Sequence, residues 1–383
     1  MQLTILMPCL NEAETLAICI QKARSWIDRA NVSAEIVIAD NGSTDDSRSI
    51  ALENGARVVD VVEKGYGSAL WHGTCAAKGE FIIMGDADDS YDFSDLDNFW
   101  LKLSEGYDLV MGNRFLGGIE PGAMPWKNRY IGNPVLTWIG KLLFQCPSDD
   151  FHCGLRGFKK ESFYGMDLRT TGMEYASEMV IKANLMSMKI TEVPTTLSKD
   201  GRSRAPHLNP WRDGWRHLKF MLLFSPRWLL FYPGSLVLIV SSLLYALTII
   251  GPIRLANISL DTNTMFYSSA GIVIGALAVC FGVMIRLFGA REGLFIDTSF
   301  AKWLRRTSLM ELGVLIGLTG FVMGGLEAIS LVLEWKNFGF GDLEAGRYLK
   351  RVSISSLAII LGALICFSSI VIGYLSLPLR RAR

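Results

Sequence analysis

Phe81-Ile82-Ile83-Met84-Gly85-Asp86-Ala87-Asp88-Asp89 is the stretch of this chain that decides its fold class. Its first four residues are apolar and predict a short buried strand, and three carboxylates follow at the end of that strand. Carboxylates this close repel one another unless a cation lies between them. Oxygen ligands suit Mg²⁺ or Mn²⁺, and these ions commonly hold a diphosphate. The stretch therefore predicts a strand that leads either into a metal–diphosphate site or into an acidic turn.

Three earlier stretches have the same character, because each is a short apolar run followed by a polar or glycine-bearing turn and then by a helical pattern. Strands that alternate with helices predict an α/β domain with a mostly parallel sheet and helices on both faces. Ligands of such sheets bind at the carboxyl ends of the strands. Four turns fall at that edge, at Pro8–Glu12, Asp40–Asn41, Gly65–Gly67 and Asp86–Asp88. Their convergence is a stronger signal than any one of them.

Two of these turns allow a ligand-binding and a structural interpretation. Gly65 and Gly67 begin a helix, where backbone N–H groups can approach an anion, but Gly-x-Gly is also an ordinary turn. The segment is neither a Walker A motif nor the dinucleotide fingerprint. Asp40 can accept a hydrogen bond from a base or ribose, or it can cap the helix that follows.

The second half of the chain is far more apolar than the first, in a sequence of which 50% is apolar. Each of its long apolar runs exceeds the roughly 20 residues that cross a bilayer. A very apolar soluble helical domain is the alternative, which four regularly spaced runs disfavour. The runs are Trp228–Ile250, Tyr267–Phe288, Leu309–Leu333 and Ser353–Leu375.

These patterns predict three regions: a catalytic domain at 1–200, a basic loop with interfacial amphipathic helices at 201–227, and four transmembrane helices at 228–383. Basic residues cluster before the first run, between the second and third runs, and at the C-terminus. The positive-inside rule then places both termini in the cytoplasm, although the basic loop at 334–352 fits less well. We expect no secretory signal before the first strand, because Met1–Met7 runs directly into the predicted fold. We therefore expect a multi-pass protein of the cell (inner) membrane with a cytoplasmic catalytic domain.

Charge and cysteine content exclude two other classes of protein. The 38 Lys and Arg residues nearly balance the 37 Asp and Glu residues, so no overall positive field indicates nucleic acid. The 7 cysteines include no Cys-x-x-Cys pair, which predicts reduced thiols without a disulfide framework. Cys146, His152 and Cys153 lie close together in sequence, but no further Cys or His nearby completes a metal site.

Five motifs in the first 220 residues resemble family 2 glycosyltransferases of the GT-A fold. The closer resemblance is to the polyprenyl-phosphate glycosyltransferases, the group of the dolichyl-phosphate mannose and glucose synthases. The motifs occur in the family's order and spacing. They are Pro8-x-x-Asn11-Glu12, Asp40-Asn41-Gly42-Ser43-x-Asp45, Gly65-x-Gly67-x-Ala69, Asp86-Ala87-Asp88 and Gly112-Asn113-Arg114-Phe115.

The resemblance implies a nucleotide-sugar donor, a divalent metal (Mg²⁺ or Mn²⁺) and inversion at the anomeric carbon. The metal would face Asp86, Asp88 and Ser90, and Ser90 stands where the family often has Gln. Asn41 likewise stands where the family often has a second Asp. The nucleotide sugar would meet Pro8, Leu10, Glu12, Asp40, Gly65, Gly67 and Asp86.

Three arginines, Arg114, Arg129 and Arg156, follow in the next stretch. An arginine fork matches phosphate oxygens, whereas any single arginine is more often a surface residue. In a chain that resembles lipid-phosphate transferases, the set predicts an acceptor-phosphate site. Arg114 and Arg129 match the family positions best and complete, with Asp86 and Asp88, the predicted catalytic set. Glu174 and Glu178 either orient the sugar or an arginine, or form a solvated helix face.

The resulting hypothesis is transfer of a hexose from a nucleotide sugar of the UDP-glucose or GDP-mannose type to a membrane polyprenyl phosphate. A lipid monophosphate has a second pKa of about 6 and is mostly dianionic at pH 7, so no strong general base is needed. A processive membrane polysaccharide synthase is one alternative, and a non-catalytic scaffold or flippase-linked protein is another. The sequence leaves open whether the chain forms a homo-oligomer.

Overall fold

The computed structural model describes residues 1–203, 210–255, 258–292, 295, 303, 307–341 and 345–377. Contacts between these residues divide the chain into two compact units, Met1–Met221 and Leu222–Arg383. The first unit contains a seven-stranded sheet and the second is mainly helical.

The sheet of the first unit has the strand order β3-β2-β1-β4-β6-β5-β7. All neighbours pair in parallel except β6, which is antiparallel to both β4 and β5. The mostly parallel sheet predicted from the sequence is therefore confirmed. The strands are β1 Leu3–Cys9, β2 Ala34–Asp40, β3 Arg57–Asp60, β4 Phe81–Met84, β5 Leu109–Asn113, β6 Arg156–Lys159 and β7 Ile190–Pro194.

Nine helices accompany these strands in the part of the chain that the structure describes up to residue 223. A π-helical turn at Asn128–Gly132 leads directly into the sixth of them. The helices are α1 Leu16–Ala30, α2 Ser47–Glu53, α3 Tyr66–Ala76, α4 Asp97–Ser104, α5 Arg114–Gly117, α6 Asn133–Phe144, α7 Lys160–Met166, α8 Tyr175–Leu185 and α9 Pro210–Leu223.

The core of this unit follows from the periodicity of its sequence. Helix α1 buries positions spaced three, four or seven apart, which is one face of a 3.6-residue helix. That face packs with apolar residues of β1 and β2 in one hydrophobic cluster. Strand β1 lies in register with β2, so that Cys9 at its end is opposite Asp40. The carboxyl ends of β1, β2 and β4 thus meet at one edge, as predicted.

The second unit contains four long helices that are apolar and long enough to cross a membrane, judged by length and composition. The four predicted apolar runs are therefore confirmed as helices. A short antiparallel pair, β8 Ile253–Leu255 and β9 Ile258–Leu260, lies between the first two. The helices are α10 Tyr232–Ile250, α11 Thr262–Arg291, α12 Thr307–Asn337 and α13 Ala345–Leu375.

Helices α12 and α13 approach each other closely at glycines. A Cβ atom added to Gly362 would lie 2.4 Å from the backbone nitrogen of Phe321. One added to Gly317 would lie 2.6 Å from the nitrogen of Cys366. Small residues at such crossings let helix backbones pack tightly in a membrane, where lipid supplies no hydrophobic force between helices.

Replacement of Gly362 by leucine should therefore destabilise the second unit, by about 1–3 kcal/mol, because the side chain has no space. Thermal unfolding of the full chain in detergent, followed by circular dichroism, would measure the loss. Gly325→Leu is the matched control, since a Cβ at Gly325 meets nothing within 4 Å. Equal stability of the two variants would mean that the glycine crossing does not hold these helices together.

Candidate active site

The edge at which the carboxyl ends of β1, β2 and β4 meet is called the donor edge, because the nucleotide-sugar donor is predicted to bind there. Asp86 follows β4 and lies at the centre of this edge. The Tyr66 hydroxyl donates a hydrogen bond to Asp86 Oδ1 at 2.9 Å. Burial of the carboxyl raises the pKa of Asp86 to about 6, and the negative charge of Asp88 contributes to that rise. The charge of Asp88 thus disfavours the ionisation of Asp86, and a cation between the two carboxylates would relieve that repulsion.

Asp88 is held by two neighbours. The Ser90 hydroxyl donates to Asp88 Oδ1 at 2.5 Å, and Arg202 Nη2 lies 2.7 Å from Asp88 Oδ2. Arg202 Nη1 also lies 3.1 Å from Glu12 Oε1, so one guanidinium joins the turns that follow β1 and β4. Arg202 is a site residue that the sequence analysis did not identify. Its basic, glycine-bearing loop is a visible signal, but nothing in the sequence shows where that loop packs.

The loop that carries Arg202 is attached to the donor edge along its backbone. Gly201 N donates to Asp88 O at 3.0 Å, and Ser198 N donates to Ser90 O at 3.0 Å. The Ser203 hydroxyl donates to the Glu14 carboxylate at 2.6 Å. The described part of this loop therefore covers the turn after β4, while residues 204–209 lie outside the described residues.

The turn after β2 is organised around its two polar residues. Asp40 is buried and accepts a hydrogen bond from Ser43 N at 3.1 Å. The Asn41 amide donates to the carbonyls of Val61 and Glu63, and its oxygen accepts from Gly65 N at 2.8 Å. Asn41 thus ties the end of β2 to the start of α3, a task that an amide performs and a carboxylate does not.

The β1 turn supplies the remaining residues predicted to meet the nucleotide. Pro8 is half-buried within β1, Leu10 is exposed, and Glu12 is buried at the start of the segment that leads to α1. The structure thus brings Pro8, Leu10, Glu12 and Asp40 to the same edge as Asp86. Which of them contact a nucleotide stays a prediction.

Gly65 and Gly67 have a packing reason in this structure. A Cβ on Gly65 would lie 2.2 Å from the carbonyl oxygen of Thr171, and one on Gly67 would lie 2.6 Å from that of Thr170. The Thr171 carbonyl also accepts a hydrogen bond from Ser68 N at 3.1 Å. The close approach of this turn explains both glycines, and anion binding at the start of α3 stays a prediction.

Glu178 shapes that same turn. Its side chain is fully buried, so it is not part of a solvated helix face. It accepts hydrogen bonds from the backbone nitrogens of Arg169 and Thr170 and from the Thr170 hydroxyl, and it pairs with Lys182 at 2.8 Å. Glu178 therefore fixes the backbone around Thr170, and the carbonyl groups of this backbone pack on Gly65 and Gly67.

The donor set fits a divalent cation that a diphosphate completes. Mg²⁺ is commonly held by one or two carboxylates together with substrate phosphates and water. Asp86 and Asp88 supply two carboxylates, and Ser90 adds a hydroxyl beside Asp88. Among the described residues no group of three His, Cys, Asp or Glu side chains is placed to hold a metal alone. A cation held by Asp86 and Asp88 would take its remaining ligands from a diphosphate or from water.

Two of the three predicted acceptor arginines are buried. Arg114 forms a bidentate pair with Asp150, with both N–O distances at 2.7 Å. Arg156 has no exposed surface, and its guanidinium donates to the backbone carbonyls of Cys153, Phe151 and Ala176. Neither is a surface arginine. A phosphate could reach Arg156 only if the guanidinium left these carbonyls, so its contacts favour a structural role over acceptor binding.

Arg129 has a different environment. It lies half-buried on the π-helical turn and donates to Ile119 O at 3.4 Å, with its guanidinium 5.5 Å from the Tyr130 ring centre. No carboxylate partner of Arg129 occurs among the described residues. Exposed aromatic side chains occur on the same stretch of chain, with Trp126 at 62% and Tyr130 at 67% exposure on either side of Arg129 and Trp138 at 63% further along in α6.

Comparisons with known proteins define the class to which this fold and site belong. Glycosyl transferase family 2 matches residues 4–165, and the glycosyltransferase family 2 C-terminal transmembrane region matches residues 283–376. The chain belongs to glycosyltransferase family 2, is a glycosyltransferase and is a membrane protein. This confirms the family that the sequence motifs resemble.

Particular relatives extend over different parts of the chain. The low-salt glycan biosynthesis hexosyltransferase Agl6 of Haloferax volcanii is 33% identical over 97% of this chain and 89% of its own length. A dolichyl-phosphate hexose transferase of the same organism is 28% identical over 55% of this chain and 89% of its own length. Glucosyl-3-phosphoglycerate synthase of Mycobacterium tuberculosis, solved with Mn²⁺, UDP and phosphoglyceric acid, has a TM-score of 0.46 and 24% identity over 58% of this chain and 77% of that chain.

Proposed function

We propose that this protein transfers a hexose from a nucleotide sugar to a membrane polyprenyl phosphate, with inversion at the anomeric carbon. The observation that carries the proposal is Arg129, a guanidinium without a carboxylate partner among the described residues, beside exposed aromatic side chains. The similarity to a dolichyl-phosphate hexose transferase agrees with this acceptor class.

On the donor side, Asp86 and Asp88 hold Mg²⁺ or Mn²⁺, with Ser90 beside them. Tyr66 and Ser90 orient the two carboxylates through the hydrogen bonds they donate. A bound cation supplies positive charge for the diphosphate that leaves with the nucleotide. Pro8, Leu10, Glu12 and Asp40 surround the nucleotide, which is of the UDP or GDP type.

On the acceptor side, Arg129 binds the lipid phosphate through two N–H groups of its guanidinium. Tryptophan and tyrosine are enriched where a protein meets lipid headgroups, and the exposed Trp126 and Tyr130 flank Arg129 with such side chains. A polyprenyl phosphate presents its charged head at the level of the lipid headgroups. A soluble acceptor would not need exposed aromatic side chains beside its phosphate site. Arg114 lies at the start of α5. Its guanidinium is already paired with Asp150, so a phosphate that binds Arg114 has to share it with that carboxylate.

The attacking group is the phosphate itself. Because a monophosphate is mostly dianionic above a pKa of about 6, the protein needs to orient it in line with the anomeric carbon and exclude water, without removing a proton. The catalytic unit works in the cytoplasm, as the distribution of basic residues in the sequence predicts.

Purified full-length protein, incubated with radiolabelled nucleotide sugars, Mg²⁺ or Mn²⁺ and polyprenyl phosphate, tests this function. We expect an acid-labile glycosyl phosphodiester of inverted configuration from one donor. The value of kcat/KM should rise as pH rises through about 6 and then stay flat. A sugar–sugar linkage formed without lipid phosphate would support a polysaccharide synthase, and the absence of transfer from every donor would support a non-catalytic scaffold.

A further inference from the structure

Glu192 lies on β7 and joins two segments that meet at the start of α5. Its Oε2 accepts a hydrogen bond from Asn113 Nδ2 at 2.7 Å. Its Oε1 accepts from the Ser148 hydroxyl at 2.6 Å and from the backbone nitrogens of Asp149 and Asp150 at 2.6 and 3.1 Å. One carboxylate therefore fixes the end of β5 and the loop that precedes Phe151.

The end of β5 and the loop before Phe151 both contact Arg114 or the helix that begins with it. The Asn113 side-chain oxygen caps α5 by accepting from Phe115 N and Leu116 N, each at 3.0 Å. Asp150 accepts from the Arg114 backbone nitrogen at 3.0 Å and from two guanidinium nitrogens. The direction of the Arg114 side chain thus depends on two residues, Asn113 and Asp150, and Glu192 holds both.

The same segment extends to the turn that carries Arg129. Helix α5 ends at Gly117, and two residues later the Ile119 carbonyl accepts the hydrogen bond from Arg129 Nη1. A shift at the start of α5 would therefore displace both arginines of the acceptor side together. The donor edge at Asp88 and Glu12 is built from other strands and from the Arg202 loop.

We infer that Glu192 is a positioning residue for the acceptor-phosphate site, which it orders through Asn113, Asp150 and Arg114. The inference rests on the proposed function, because it assigns the arginines to the acceptor. Whether or not sugar is transferred, the contact of Arg114 with Asp150 weakens when Glu192 loses its bond to Asn113.

An exchange of amide and carboxylate between positions 113 and 192 tests the inference. In Glu192→Gln the new amide faces the Asn113 amide, donor against donor, and in Asn113→Asp two carboxylates face each other. The double variant Asn113→Asp with Glu192→Gln restores one donor and one acceptor and keeps the net charge. In this variant the carboxylate introduced at position 113 can still cap α5 with its other oxygen.

We expect roughly a tenfold rise in acceptor KM for each single variant, with donor KM within about twofold of wild type. The acceptor KM of the double variant should return to within about threefold of the wild-type value, because the two positions are coupled. Glu35→Gln is the control: Glu35 accepts similar bonds from Thr4, Arg57 and Lys78 N, but it lies near the start of β2, at the opposite edge of the sheet. It should leave acceptor KM unchanged even where it lowers Tm.

A second readout needs no substrate. Phenylglyoxal modification of Arg114 in the full-length protein, followed by mass spectrometry, should be slow in wild type and in the double variant and about tenfold faster in each single variant. Equal modification rates in Glu192→Gln and wild type would overturn the inference. Single variants that change donor and acceptor KM equally, or a double variant no better than the worse single, would do the same. If the wild type transferred no sugar, the proposed function would be refuted. The rates of Arg114 modification would then decide this inference by themselves.

Discussion

Replacement of Asp88 by asparagine should reduce sugar transfer about a thousandfold, whereas the unfolding temperature should fall only slightly because Arg202 keeps Glu12 and Asp200 as carboxylate partners. Asp88 is one of two carboxylates at the end of β4, and its charge is needed where a divalent cation meets a diphosphate. An amide keeps the size of the side chain and one oxygen for the Ser90 hydroxyl, which now donates to Asp88 at 2.5 Å. Binding of Mn²⁺ in the presence of UDP or GDP, measured by calorimetry, should weaken in parallel.

Asp89→Asn is the matched control for this variant. Asp89 is the next residue, but its carboxylate pairs with Lys22 at 2.8 Å and its backbone is left-handed (φ 62°), a conformation that asparagine tolerates. We expect near wild-type transfer from it. Equal losses in the two variants, or full activity of the wild type in excess EDTA, would show that Asp88 does not act through a metal.

Replacement of Arg129 by alanine should raise the KM for polyprenyl phosphate by about ten- to a hundredfold and leave donor KM nearly unchanged. A hydrogen bond between charged groups contributes about 1.5–3 kcal/mol, and the structure shows no carboxylate among the described residues that competes for this guanidinium. Arg129→Lys should be intermediate, since lysine keeps the charge but lacks the planar fork. Initial rates over a range of acceptor concentrations at saturating donor would measure the effect.

Lys127→Ala separates specific phosphate binding from general attraction to anionic lipid. Lys127 lies two residues from Arg129, is exposed, and places its ammonium 6.0 Å from the Trp126 ring centre. Its loss should change acceptor KM little. If Lys127→Ala and Arg129→Ala were equivalent, the turn would contribute only surface charge; if donor KM rose instead, Arg129 would belong to the donor site.

Local patterns in the sequence predicted the fold class, four of the seven strands of the sheet and the four long apolar helices. Short apolar runs, each followed by a polar or glycine-bearing turn, identified the first four strands of the sheet. The four apolar runs predicted α10 to α13 because about 20 apolar residues in succession have few other uses. The gathering of Asp40, Asp86 and the β1 turn at one edge also followed, since parallel strands end on the same side.

The individual roles of charged residues depended on contacts across the sheet. Arg202 pairs with Glu12 and Asp88 over sequence separations of 190 and 114 residues, and no local pattern encodes such a contact. The sequence offers no way to tell Arg156 from Arg129 as a candidate phosphate ligand. In the structure Arg156 is buried, because β6 lies antiparallel between β4 and β5.

The sequence alone therefore determined the class of fold, the edge at which the candidate site residues gather and the candidate membrane helices, because each depends on periodicity or on residue type at short range. The tertiary structure alone decided which charges are available. Arg114, Arg156 and Glu178 are buried and engaged with partners, whereas Arg129 has no carboxylate partner among the described residues. The physical reason is that a charge acts on a ligand only when its own hydrogen-bond partners leave it accessible, and those partners are brought by strand order and loop packing.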